Sequence, residues 1–174
     1  MLRATRGVLV DPKGMTQVGD WAVVWGLDAF RREWPARHAR VIARPIPGED
    51  MRPWLDGVCE WVFRNGSVVL GLDELANVVT ASRPLRWVDT CLQWGRQAGI
   101  TVVACVQRPK RIPLALMSEA ETVVVFELHH PDDREVIEEL TGHPYAIPTR
   151  EHGFWLWDGL TAPVECAPLD VGSG

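Results

Sequence analysis

Apolar residues in this chain come in short runs separated by helical-period segments, and the two patterns alternate along its length. Gly7 to Asp11 reads as a first strand, closed by Asp11-Pro12-Lys13-Gly14, and Trp21 to Trp25 as a second, followed by a helical stretch around Leu27 to Trp34. Ala39 to Arg44 reads as an edge strand stopped by Pro45 and Pro47. From Asp50 to Arg64 the spacing turns helical, with Trp54, Val58, Trp61 and Val62 on one face, and Asn65-Gly66 ends it. The run Ser67 to Leu72 is the next strand. Pro84 opens a helix that reaches Ala98 and is stopped by Gly99. Strand Ile100 to Val106, a short helix near Pro113 to Met117 and strand Thr122 to Leu128 follow. Pro131 starts a helix to Leu140, with Asp132 and Asp133 in its first turn, where the helix dipole favours them. Tyr145 to Cys166 reads as a β-hairpin with Trp155 and Trp157 on its first arm, and residues 169–174 as a frayed tail. Strands alternating with helices predict an α/β fold, a mostly parallel sheet covered by helices on both faces, with one domain over residues 1–168.

Composition narrows the class. The chain has 174 residues, 47% of them hydrophobic and 24% charged, as in a globular protein large enough to bury a core. No apolar run approaches the length of a membrane-spanning helix, and Arg3 and Arg6 lead straight into a strand rather than into a signal-peptide core. The net charge of −5 excludes a surface basic all over, while leaving room for local DNA-facing loops. Cys59, Cys91, Cys105 and Cys166 lack paired CxxC spacing and read as free thiols in a reducing compartment. His129-His130-Pro131-Asp132-Asp133 falls on a strand-to-helix turn without the i, i+4 ligand spacing of a helical metal site, so it reads as a turn and a helix start. The nine tryptophans recur at helical or strand spacing, which assigns them to packing rather than to base stacking.

The chemistry concentrates at two strand ends. Ser67-Val-Val-Leu-Gly-Leu delivers Asp73 and Glu74, a metal-binding carboxylate beside one that can activate water, and the Ile100 run delivers Gln107. Strand ends in open α/β sheets are where ligands bind. From Val68 to Gly142 the chain resembles the additional-strand P-loop ATPases of the HerA/FtsK type, which include DNA translocases, conjugation coupling ATPases and phage genome-packaging ATPases. The resemblance rests on Val68-Val-Leu-Gly-Leu-Asp-Glu-Leu-Ala-Asn77, Trp94-Gly-Arg-Gln-Ala-Gly-Ile100, Val103-Ala-Cys-Val-Gln-Arg-Pro109 and Val123-Val-Val-Phe-Glu-Leu128 followed by Asp132-Asp-Arg-Glu135. Val8-Leu-Val-Asp-Pro-Lys-Gly14 resembles the family's second strand.

That resemblance implies a RecA-like core that binds ATP and Mg²⁺. It implies Asp73 as the Mg²⁺ and nucleotide carboxylate, Glu74 as the residue polarising the attacking water, and Gln107 as the γ-phosphate sensor. Arg96 is the implied arginine finger reaching the next subunit, with Arg108 the competing candidate; Asp11 and Lys13 sit near the site without an assigned step. The implied partners are double-stranded DNA, further copies in a hexameric or pentameric ring, and, for a phage protein, capsid or membrane-vertex proteins, in the cytoplasm or the virion. One departure stands out: no Gly-x-x-x-x-Gly-Lys-Ser/Thr occurs in the sequence. The family places that loop after a first strand, before the helix that leads into the Gly7 strand, so the expectation is a truncated or split ATPase core, with a gap or a direct pairing between the Ile100 and Thr122 strands. A non-catalytic ring subunit or scaffold that keeps the fold is the alternative.

Overall fold

A computed structural model describes residues 6–75, 78–80, 83–112, 117–149 and 151–168. The chain divides into two compact units, one made of Met1–Gln107 and Arg111–Leu116, the other of Arg108–Lys110 and Met117–Gly174.

The first unit is built on five parallel strands: β1 (Gly7–Val10), β2 (Ala22–Trp25), β3 (Arg40–Arg44), β4 (Val68–Leu72) and β5 (Ile100–Ala104), in the order β2-β3-β1-β4-β5. Three helices connect them: α1 (Leu27–Glu33), α2 (Met51–Asn65) and α3 (Arg86–Trp94), the last continued by a 3₁₀ turn over Gly95–Ala98. The register places Val8, Val41, Leu70 and Val102 in one row, and Val10, Ala43, Leu72 and Ala104 in the next, all on one face. These rows pack with Phe30, Trp54, Leu55, Val58, Val62 and Val88 into the core. Alternate side chains point the other way. There Val23, Trp25 and Val103 are each about half exposed, and none joins that core. Among the described residues of this unit, the helices α1 to α3 all contribute to the first face.

Local chemistry explains the boundaries. Asp50 caps α2 by accepting the Arg52 N–H (3.0 Å), and the helix ends at Gly66, whose φ of 56° an L side chain resists. Gly99 (φ 70°) closes the 3₁₀ turn in the left-handed conformation and lets β5 start beside β4. The Ala39–Arg44 strand is not an edge: β3 lies between β2 and β1, and Val41, Ile42 and Ala43 are all buried. Its flanking prolines sit past its last residue, so they remove no ladder hydrogen bond.

The second unit holds β6 (Val123–Val125), α4 (Pro131–Thr141), β7 (Phe154–Trp157) and β8 (Val164–Cys166). Its sheet is antiparallel in the order β6-β7-β8, so the expected C-terminal hairpin is present. The Thr122–Leu128 run does not join the parallel sheet. It forms only β6, facing β7 with Val123 opposite Trp157 and Val125 opposite Trp155, aromatic–β-branched pairs that favour this partner. Neither the expected gap nor a direct pairing with β5 therefore describes the sheet. The predicted helix near Pro113 and the tail at 169–174 lie outside the described residues. Among the described residues, no helix is long and apolar enough to cross a membrane.

Candidate active site

The carboxyl ends of β1, β4 and β5 meet where the sequence places its acids. Leu72 pairs with Ala104, and one residue further the Cys105 N–H donates to the Leu72 carbonyl (2.9 Å). Asp73 therefore leaves β4 beside the end of β5, anchored by its own N–H donating to the Val10 carbonyl (3.1 Å). Cys105 is exposed, yet the protein around its thiol displaces enough water to raise its pKa, and the Asp73 carboxylate nearby raises it further. Gln107 follows two residues later and is exposed. The neighbouring strands thus bring Asp73, Glu74 and Gln107 to one end of the sheet.

Glu74 is the most constrained of these. It is 8% exposed, and its φ of 53° lies in the left-handed region that non-glycine residues enter rarely and at a cost. Its Oε1 forms an ion pair with Lys13 Nζ at 2.9 Å. Lys13 rides on the loop after β1, and that loop is organised by Asp11. The Asp11 carboxylate is fully buried and accepts hydrogen bonds from the N–H groups of Gly14 and Thr16, both at 2.9 Å. Arg44, at the end of β3, donates to the same carboxylate through Nε at 3.0 Å, and its guanidinium lies 5.5 Å from the Trp25 ring centre. Asp11 and Arg44 thus shape the loop, and the loop holds Lys13 against Glu74. On the other side of Glu74, the Arg52 guanidinium donates to the carbonyls of Val78, Arg83 and Pro84, tying the following loop to the start of α2.

The two arginine candidates take different places. Arg96 is exposed on the Gly95–Ala98 turn, at the start of β5, so a strand length of about 15 Å separates it from Asp73 in the same chain. Arg108 pairs through Nε with Asp133 (2.6 Å), a residue 2% exposed in the first turn of α4. The Lys110 N–H also donates to Asp133 (3.1 Å), so Asp133 does more than complement the helix dipole. Sequence reasoning left Asp11 and Lys13 without a role and missed Arg44. The available signal was a buried-strand aspartate followed at once by a Pro-Lys-Gly turn.

The site's donors suit a hard cation only in part. Asp73 offers oxygen of the kind Mg²⁺ accepts, but Mg²⁺ sites of this sort complete their shell with water and substrate phosphate. Among the described residues, no three His, Cys, Asp or Glu side chains converge to hold a metal by themselves.

No protein-family profile matches the chain, and no curated protein matches it in sequence. Solved structures do match in fold. The genome-packaging NTPase B204 of Sulfolobus turreted icosahedral virus 2, in complex with AMPPCP, superposes with a TM-score of 0.74 at 13% identity, covering 95% of this chain and 84% of that one. B204 described as the DNA-packaging ATPase of Sulfolobus turreted icosahedral virus gives 0.63 at 15% identity, over 94% and 83%. The plasmid coupling protein TrwB, bound to the GTP analogue GDPNP, gives 0.55 at 18% identity, over 78% of this chain and 41% of TrwB. The chain shares its fold with these structures.

Proposed function

We propose that this chain is the core of an ATP-driven motor subunit that translocates or packages double-stranded DNA, working in a ring. The observation that carries this reading is the convergence of Asp73, Glu74 and Gln107 at the carboxyl ends of adjacent parallel strands, with Glu74 held in a costly backbone conformation. In this reading Asp73 would hold Mg²⁺, Glu74 would orient the attacking water and Gln107 would contact the γ-phosphate. Bound Mg²⁺ would neutralise charge on the phosphates. Arg96, remote from Asp73 of its own chain, acts on the site of a neighbouring copy. The fold shared with a packaging NTPase and a coupling protein supports DNA as the substrate. A viral setting adds capsid or vertex proteins as partners, with the protein in the cytoplasm or the virion.

Residues 1–174 contain no Gly-x-x-x-x-Gly-Lys-Ser/Thr loop to cradle phosphates, and among the described residues no strand pairs with the outer side of β5. A second reading, a non-catalytic ring scaffold, is favoured by the Lys13–Glu74 pair, which occupies the carboxylate that would otherwise orient water. The nucleotide sequence upstream of Met1 discriminates between the two. An in-frame Gly-x-x-x-x-Gly-Lys-Ser/Thr there, in an extended chain whose ATP turnover is abolished by Glu74→Gln while nucleotide binding survives, supports the motor. No turnover in the extended chain, alone or on DNA, refutes it.

A further inference from the structure

The two parts of the chain differ in charge. Arg108–Lys110 and Met117–Gly174 together carry twelve Asp and Glu against four Lys and Arg, whereas Met1–Gln107 and Arg111–Leu116 carry fourteen Lys and Arg against eleven Asp and Glu. Within the acidic second unit lies a cavity of about 210 Å³, between α4 and the β6–β7 pair, lined by Val125, Ile137, Tyr145, Trp155, Trp157 and Pro163 among others. His143 lines it too, no Asp, Glu, Lys or Arg does, and three carboxylates neighbour lining residues along the chain or across the ladder. Glu138 follows Ile137 and accepts the Tyr145 N–H at 2.8 Å. Glu165 stands across the ladder from Trp155 and accepts the Thr149 hydroxyl at 2.7 Å. Asp158 follows Trp157 and accepts the N–H groups of Leu160 and Thr161, both at 3.0 Å, which hold its carboxyl below the usual carboxylate range.

Aromatic side chains in an acidic setting favour a cation. A guanidinium already lies over an aromatic ring in this unit, with Arg134 Cζ 5.5 Å from the Tyr145 ring centre. The volume is below the roughly 300–1,000 Å³ of sites for drug-sized ligands, so it suits one side chain rather than a whole nucleotide. A nucleic acid would also bring its phosphates against the acidic surface. We propose that this cavity is a docking site for an arginine side chain of a basic peptide segment on a partner protein, stacked on Trp155 and Trp157 and steered by the surrounding carboxylates.

The test titrates the native full chain with a nine-residue peptide of alternating Gly and Arg. A control peptide carries citrulline for every Arg, which keeps the shape and removes the charge. Binding is read from the indole N–H resonances of Trp155 and Trp157, assigned with Trp→Phe variants. The arginine peptide should shift both indoles and bind at least about tenfold more tightly than the citrulline peptide. Trp157→Ala, shown folded by circular dichroism, should lose about tenfold as well. Because the native chain carries the main readout, a misfolded variant does not remove the test. Equal binding of the two peptides, absence of binding, or unchanged affinity in folded Trp157→Ala would overturn the proposal. So would adenosine shifting the same indoles at lower concentration, which would reassign the cavity to a base. Self-association that Trp157→Ala abolishes would overturn it too, by assigning the cavity to a second copy.

Discussion

Replacing Asp11 by Ala removes the acceptor that organises the loop beside the candidate site. Thr16 N and Arg44 Nε lose their partner, and Gly14 N keeps only its longer bond to the carbonyl of residue 11 (3.3 Å). Arg44 is only 9% exposed, so its charge stays in the interior without its counter-ion. Breaking a buried pair from one side costs about 3–5 kcal/mol. Arg44 keeps its hydrogen bond to the Thr16 carbonyl and its place over Trp25, which puts the expected loss near the lower end, about 3 kcal/mol. With a urea m-value of roughly 2 kcal/mol/M, the midpoint should fall by about 1.5 M. Equilibrium unfolding followed by circular dichroism measures this. The double variant Asp11→Ala/Arg44→Met should recover much of the loss, because no unpaired charge remains buried. A midpoint shift under about 0.3 M in Asp11→Ala, or a double variant less stable than both singles, would refute the argument.

Three further outcomes are expected. Asp73→Asn should speed iodoacetamide labelling of Cys105 a few-fold at pH 8, because losing a nearby negative charge lowers the thiol pKa and enlarges the thiolate fraction; mass spectrometry after proteolysis reads it, and an unchanged rate would separate Asp73 from Cys105. Lys13→Met should change stability in a urea melt by no more than about 1 kcal/mol, since Lys13 is half exposed and its pair with Glu74 is screened by solvent; a larger loss would show that the pair holds the loop. Gly66→Ala should destabilise by about 1–3 kcal/mol in a thermal melt, because the residue has φ 56° and its new Cβ would stand 2.5 Å from the Ala98 carbonyl oxygen.

The parallel sheet was readable because its strands are apolar runs ended by acids, glycines or prolines, and those signals are local. Asp73 and Gln107 were placed correctly at neighbouring strand ends, since each is the first polar group past such a run. The pairing of β6 was not readable. Val123-Val-Val125 is apolar on both faces, and a run of that kind fits a buried parallel strand as well as the arm of an aromatic meander. The interior position of β3 was hidden by the prolines that follow it. The Lys13–Glu74 and Asp11–Arg44 pairs join residues far apart in sequence, and no spacing rule announces them. Their only trace is an unusual demand for polar residues at the ends of apolar strands.

Helix α2 runs from the carboxyl end of the parallel strands to their amino end. At one end Arg52 grips the loop that follows Glu74 through three carbonyls. At the other, Gly66 abuts the Ala98 carbonyl, and Ser67 donates its N–H to that same oxygen at 2.9 Å, next to the turn that carries Arg96. Fifteen residues at 1.5 Å each make a strut about 22 Å long. The strut is braced along its length by Trp54, Leu55, Val58 and Val62 in the core, so it resists bending. One stiff helix thus joins the loop that follows Glu74 to the turn that carries Arg96, so the spacing between those two places is set by the length of α2.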